Sequence, residues 1–198
     1  MLSNVYIAAK GNANAGIFKT LSSGALVHDL SIDGIFAGNY IGALAGTNNG
    51  GIKNVHVLAS VQGDKMAGGI CVENNGKIIC STANNTIAIS GSGTSVGGIC
   101  VKNTKTIENC ENKSQINADV YNSGDPVSNI GGIAGENTGE IIACYNYKDI
   151  FGDDYIGGIA GKNSGRIIES INAGAITQKL LNGQTASILM ATEAMFRQ

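Results

Sequence analysis

Five cysteines and two histidines are the residues of this chain best suited to metal binding, nucleophilic attack or cross-linking. Cys71, Cys80, Cys100, Cys110 and Cys144 include no CxxC, and their odd number leaves one thiol over in any pairing. His28 and His56 have no cysteine or carboxylate cluster to complete the three or four ligands a zinc site takes. Acidic residues gather at Asp153 and Asp154 and again at Asp119 and Asp125. A β-helix enzyme acting on polysaccharides sets such carboxylates beside Lys, Arg or His in one groove, and no basic trio accompanies these. The calcium-binding nonapeptide spacing is also missing. The sequence therefore assigns no catalytic, cofactor or metal site, and the expectation is a protein that is not an enzyme.

The bulk composition narrows the partners. Of 198 residues 29 are Gly, one is Pro and none is Trp, and only 14% are charged. Low charge with a mean hydropathy of +0.08 opposes disorder, which requires low hydrophobicity and high net charge. The net charge is −2 and the 13 Lys and Arg are scattered singly, so no basic stripe is present to neutralise a phosphate backbone. Nucleic acid is not expected as a partner. No apolar run reaches the length of a membrane span, and Met1 to Lys10 lacks the pattern of a signal peptide, so an export signal would lie outside this segment.

The elements that position these residues emerge when the chain is aligned with itself. Copies beginning at Ala15, Ile41, Ala67, Val96, Ile130 and Ile156 align without gaps, at spacings of 26, 26, 29, 34 and 26 residues. The second column is Gly in every copy, which implies close backbone approach or a bend. The fourth is apolar throughout, as Phe18, Leu44, Ile70, Ile99, Ile133 and Ile159. The eighth is Asn48, Asn74, Asn103, Asn137 and Asn163, with Ser22 in the first copy, and Gly follows two residues later in all but the copy holding Lys105. Asn shortly before Gly is turn chemistry. The twelfth column, Leu26, Ile52, Ile78, Ile107, Ile141 and Ile167, is a second core column. β-Branched residues interrupted by Gly fit strands better than helices.

The expected fold is all-β, a parallel β-helix-like solenoid of about six coils with a short C-terminal helical cap. Residues 1–14 read as an N-terminal edge strand or cap, 15–177 as the solenoid, and 178–198 as a capping segment. Within 184–198 the spacing of Ile188, Leu189, Thr192, Met195 and Phe196 predicts a helix. Stacking puts Cys71 over Cys100, and Cys110 over Cys144, at about 4.8 Å, inside the range a disulfide tolerates. Small apolar cysteines also pack well in stacked columns, and that reading is favoured.

Two coils are longer than 26 residues, with additions placed near 90–95 and 119–129. Insertions into a solenoid project from one face, often the binding face. Tyr121, Asn122, Asp125 and Pro126, with Ser92 and Thr94 of the shorter insertion, are the candidate binding residues. Tyr121 leads because an aromatic ring with a polar tip gives contact area at low entropic cost.

The columns resemble the GLUG repeat of bacterial surface proteins. The match is fullest at residues 130–146, where Gly131, Gly132, Ile133, Gly135, Asn137, Gly139, Ile141, Cys144 and Tyr145 fall on the motif. The likeness covers roughly residues 15–175 and departs at Ala43, Val72, Val101 and Lys105. It implies an extracellular or cell-surface interaction or spacer module of adhesin type, joined to other domains of a longer surface protein and binding a host protein or glycan. GLUG repeats also flank secreted immunoglobulin-cleaving metallopeptidases, so the resemblance equally admits an accessory domain of a secreted hydrolase or peptidase whose catalytic residues lie elsewhere.

Overall fold

The structure, a computed structural model, describes residues 1–89, 95–118, 128–152, 154–179 and 185–188. Among these residues every regular element is a strand. The chain coils about one axis, and strands of successive coils pair in parallel in two sheets, one of six strands and one of nineteen. The six-stranded sheet runs Phe18–Leu21, Ala45–Asn48, Cys71–Asn74, Cys100–Asn103, Ala134–Asn137 and Ala160–Asn163. This is a parallel β-solenoid of about six turns, named here coil 1 (15–40) through coil 6 (156–179).

Apolar residues of both sheets meet in one continuous core. Leu44, Ile70, Ile99 and Ile133 are fully buried in their column, and Ile159 packs on its end. The glycine columns are explained by space. A Cβ at Gly42, Gly68, Gly97, Gly131 or Gly157 would fall on the carbonyl three residues ahead, from Ala45 through Ala160. A Cβ on the next glycine, at Gly98, Gly132 or Gly158, would run into the side-chain amide of Asn112, Asn146 or Asn172. In coil 2 the corresponding residues are Ala43 and Val57, while in coil 3 Gly69 faces Ala83 and the carbonyl of Gly98, so the second glycine of coils 4 to 6 makes room for an Asn and that of coil 3 for the next coil's backbone.

Every coil turns a corner through one residue of left-handed conformation. Asp29, Asn54, Cys80, Asn109, Ala143 and Glu169 stand in register with φ between 48° and 53°. Such a conformation costs an ordinary L-residue about 1–2 kcal/mol, and Asn and Asp bear it best because their short polar side chains bond locally. The following column supplies small donors to the carbonyl two residues back: Ser81 Oγ to Ile79, Cys110 Sγ to Glu108, Cys144 Sγ to Ile142 and Ser170 Oγ to Ile168, at 2.9, 3.2, 3.2 and 3.0 Å. Cysteine and serine thus do one structural task.

Two sequence expectations are corrected. The C-terminal region is not helical where it is described: Thr185–Ile188 is a strand that turns back antiparallel on Ile176–Lys179. In coil 1 the gapless alignment misplaces the core. Leu21, not Ser22, stands opposite Asn48, and Val27, not Leu26, opposite Ile52. Phe18 and Leu26 are accordingly exposed, at 37% and 59%. The turn at 22–25 is two residues longer than in coil 2, and adjacent apolar pairs, Ile17-Phe18 and Leu26-Val27, let either member fit a period of two.

Candidate functional site

The polar groups inside the solenoid are engaged in holding it together. Along column eight each Asn donates from Nδ2 to Oδ1 of the Asn in the next coil: Asn48 to Asn74, Asn74 to Asn103, Asn103 to Asn137 and Asn137 to Asn163, at 2.7 to 2.8 Å. A second ladder, which the column reading passed over, links Asn112 to Asn146 and Asn146 to Asn172, each at 2.7 Å. Its signal was present in the sequence as Asn at the seventeenth position of the last three copies. Among the described residues no buried side-chain nitrogen or oxygen lacks a hydrogen-bond partner. Ladders this complete stiffen the rod and leave no interior donor for a ligand.

The reactive residue types are likewise occupied or apart. All five cysteines are free thiols, and Cys71, Cys100, Cys110 and Cys144 are buried. Burial pushes the Cys100 and Cys110 thiols well above the ordinary value, which opposes the nucleophilic thiolate. His28 stands opposite Lys53 and His56 opposite Ser31, so the two rings do not share a column. His28 Nδ1 pairs with Asp29 at 2.7 Å, and Asn54 Nδ2 donates to the same carboxylate at 2.6 Å. The amide of Asn54 and the His28 ring hold the Asp29 carboxyl below the usual carboxylate range. Among the described residues no three His, Cys, Asp or Glu converge as a metal site would require.

The six binding residues expected from the sequence, Tyr121, Asn122, Asp125, Pro126, Ser92 and Thr94, lie outside the described residues, as do Asp119 and Asp153. Asp154 accepts a hydrogen bond from the Tyr155 amide at 2.9 Å, the ordinary role of an acidic turn residue.

The described surface holds another candidate that the sequence reading did not find. Strand alternation turns columns sixteen and eighteen outward on one face of the large sheet. The first is the register Ser31, His56, Thr82, Glu111, Tyr145 and Ile171. Two residues on in each coil stand Asp33, Leu58, Asn84, Lys113 and Tyr147, the last three just past the ends of their strands. Between these rows over coils 1 to 4 runs an open groove of about 480 Å³, lined by Met1, Ser31, Ile32, Asp33, His56, Val57, Leu58, Thr82, Asn84, Glu111 and Lys113. At its coil 5 end Tyr145 and Tyr147 stack with ring centroids 5.9 Å apart and planes within 15°. Lys113 Nζ lies 5.5 Å above the Tyr147 ring and pairs with Glu111 at 2.7 Å, and Tyr147 Oη reaches Glu111 Oε1 at 3.5 Å. The Glu111 carboxylate holds the Lys113 ammonium above the ordinary lysine value.

The class defined by fold and surface is a parallel β-solenoid with a groove on one sheet face. No known protein family matches the chain, and no solved structure matches it. Part of it is similar to Halomucin of Haloquadratum walsbyi, 25% identical over 88 residues, which cover 43% of this chain and 1% of Halomucin.

Proposed function

We propose that this chain is a non-catalytic extracellular or cell-surface module of adhesin type, a rigid spacer that meets a host protein or glycan through its outer faces. The observation that carries this reading is the division of the molecule: polar groups within are spent on ladders, while the exposed groups vary from coil to coil. The resemblance to GLUG repeats supports it, as does the partial likeness to a protein named Halomucin. In this reading residues 1–14 form an N-terminal edge and 178–198 a C-terminal capping segment.

The test is binding of the purified chain to immobilised extracellular-matrix proteins and glycans, with glycan cleavage followed in parallel. Saturable binding without cleavage is expected. Cleavage by the chain itself would contradict a non-catalytic module. Binding to neither class would remove the adhesin reading and favour an accessory domain of a secreted hydrolase or peptidase.

A further inference from the structure

We propose that the groove between columns sixteen and eighteen, ending on the Tyr145–Tyr147 pair, binds a linear uncharged oligosaccharide laid along the solenoid axis. This rests on the interaction-module reading above and names its ligand class and its site.

The shape of the strip selects an extended chain. Side chains two residues apart on a strand stand about 7 Å from one another, so two rows make a strip of roughly that width. From Ser31 in coil 1 to Tyr145 in coil 5 the register advances four coils, about 19 Å at 4.8 Å per coil. A specific protein partner covers about 800 Å² per side, far more than such a strip offers. The lining here sets apolar Met1, Ile32, Val57 and Leu58 among Asn84, Thr82, His56 and Ser31. One polymer chain with polar rims and apolar faces fits that pattern, and its sugar rings recur at about the coil spacing.

The charges argue against an ionic ligand. Lys113 is paired with Glu111 at 2.7 Å, and the rest of the lining adds one carboxylate, Asp33, and the first residue, Met1, so charges of one sign do not line up along it. Among the described residues a polyanion would find no row of cations there, and a basic segment only one carboxylate besides Glu111. Uncharged hydroxyls, by contrast, find donors and acceptors in Asn84, Thr82, His56 and Glu111.

The aromatic end supplies the anchor. Tyr145 and Tyr147 are exposed at 36% and 43% as a stacked pair beside the groove rather than as scattered single rings. They are nevertheless held by stacking on one another, by the Lys113 cation over Tyr147 and by the Tyr147 contact to Glu111. Rings fixed before binding lose little rotamer freedom when the C–H face of a sugar settles on them.

The experiment uses the full chain and labelled neutral hexasaccharides of glucose, N-acetylglucosamine, mannose and xylose, followed by fluorescence anisotropy. Extracellular-matrix proteins are tested on the same surface format. At least one hexasaccharide is expected to bind, more tightly than its disaccharide and with little response to salt. Tyr147→Ala and Tyr145→Ala should each weaken it about tenfold or more with an unchanged melting temperature, the scale of losing an aromatic anchor. Tyr147→Phe, which keeps the ring, should bind nearly as well as the parent, and Lys162→Ala on the other sheet should bind as the parent does. Hexasaccharide binding that survives both alanine variants overturns the site. Binding to matrix proteins with none to hexasaccharides overturns this proposal and leaves the interaction module standing. Binding to neither overturns both.

Discussion

The interior and the grooved face of this solenoid are built from the same strands, yet they repeat differently. Inward at column eight the same residue recurs coil after coil, Asn48, Asn74, Asn103, Asn137 and Asn163, each bonded to the next. Outward at column sixteen six coils present six different residues, Ser31, His56, Thr82, Glu111, Tyr145 and Ile171. The backbone spacing is common to both, so what differs is the demand placed on the side chain. A buried amide must satisfy its donors with a copy of itself one coil away, because no water is there to replace a missing partner. An exposed side chain has no such obligation. Repetition in this fold therefore reports folding, and variation reports freedom to meet something else.

The largest effect expected from breaking the interior concerns space. Gly132→Ala should cost about 3 kcal/mol, because its Cβ would run into the carbonyl of Gly158 and the side chain of Asn146, neither able to move without disturbing a ladder. Thermal melting against the parent measures it. A near-neutral result would mean that the Gly doublets are not required by the second Asn ladder.

Asn137→Ala comes next. Asn137 is 1% exposed, donates to Asn163 at 2.8 Å and accepts from Asn103 at 2.7 Å. Its removal should cost about 2 kcal/mol, since the buried Asn103 amide is left short of its Asn acceptor, while Asn163 at the exposed end of the ladder can turn to water. Tyr145→Ala on the outer face of the same coil should shift the melting curve by no more than about 0.5 kcal/mol, the usual range for surface changes. Equal losses for the two would erase the contrast between inside and outside.

The smallest effect has the opposite sign. Ala143 occupies the left-handed corner at φ 48°, where coils 2 and 4 use Asn54 and Asn109. Ala143→Asn should stabilise the protein by about 0.5–1 kcal/mol by relieving backbone strain without loss of a contact. A lower melting temperature would show that corner strain is not what selects Asn there.

The same division governs what the sequence reveals of the fold. Column eight and the apolar columns could be read from the sequence because identity recurs where packing demands it. The first coil could not, since Ile17-Phe18 and Leu26-Val27 offer two apolar residues side by side and only the longer turn at 22–25 decides which faces inward. The strand Thr185–Ile188 resembles a helix in sequence because a few apolar residues satisfy either period over so short a stretch. The grooved face shares no residue type down its columns, so a search for recurrence passes over it. Its coherence appears only when register sets Glu111 beside Tyr145 and brings Lys113 over Tyr147.

The buried amide ladder fixes the register of coils 2 to 6, and hydrogen exchange of asparagine side chains reports on it most directly. Column nine provides an internal reference, because Asn75 Nδ2 donates to Asn49 Oδ1 at 3.1 Å in an exposed turn one residue from the buried ladder. The Nδ2 protons of Asn74, Asn103 and Asn137 should exchange only through opening of the coils, orders of magnitude more slowly than those of Asn75. Comparable rates for Asn74 and Asn75 would contradict the ladder and the register on which the whole structure rests.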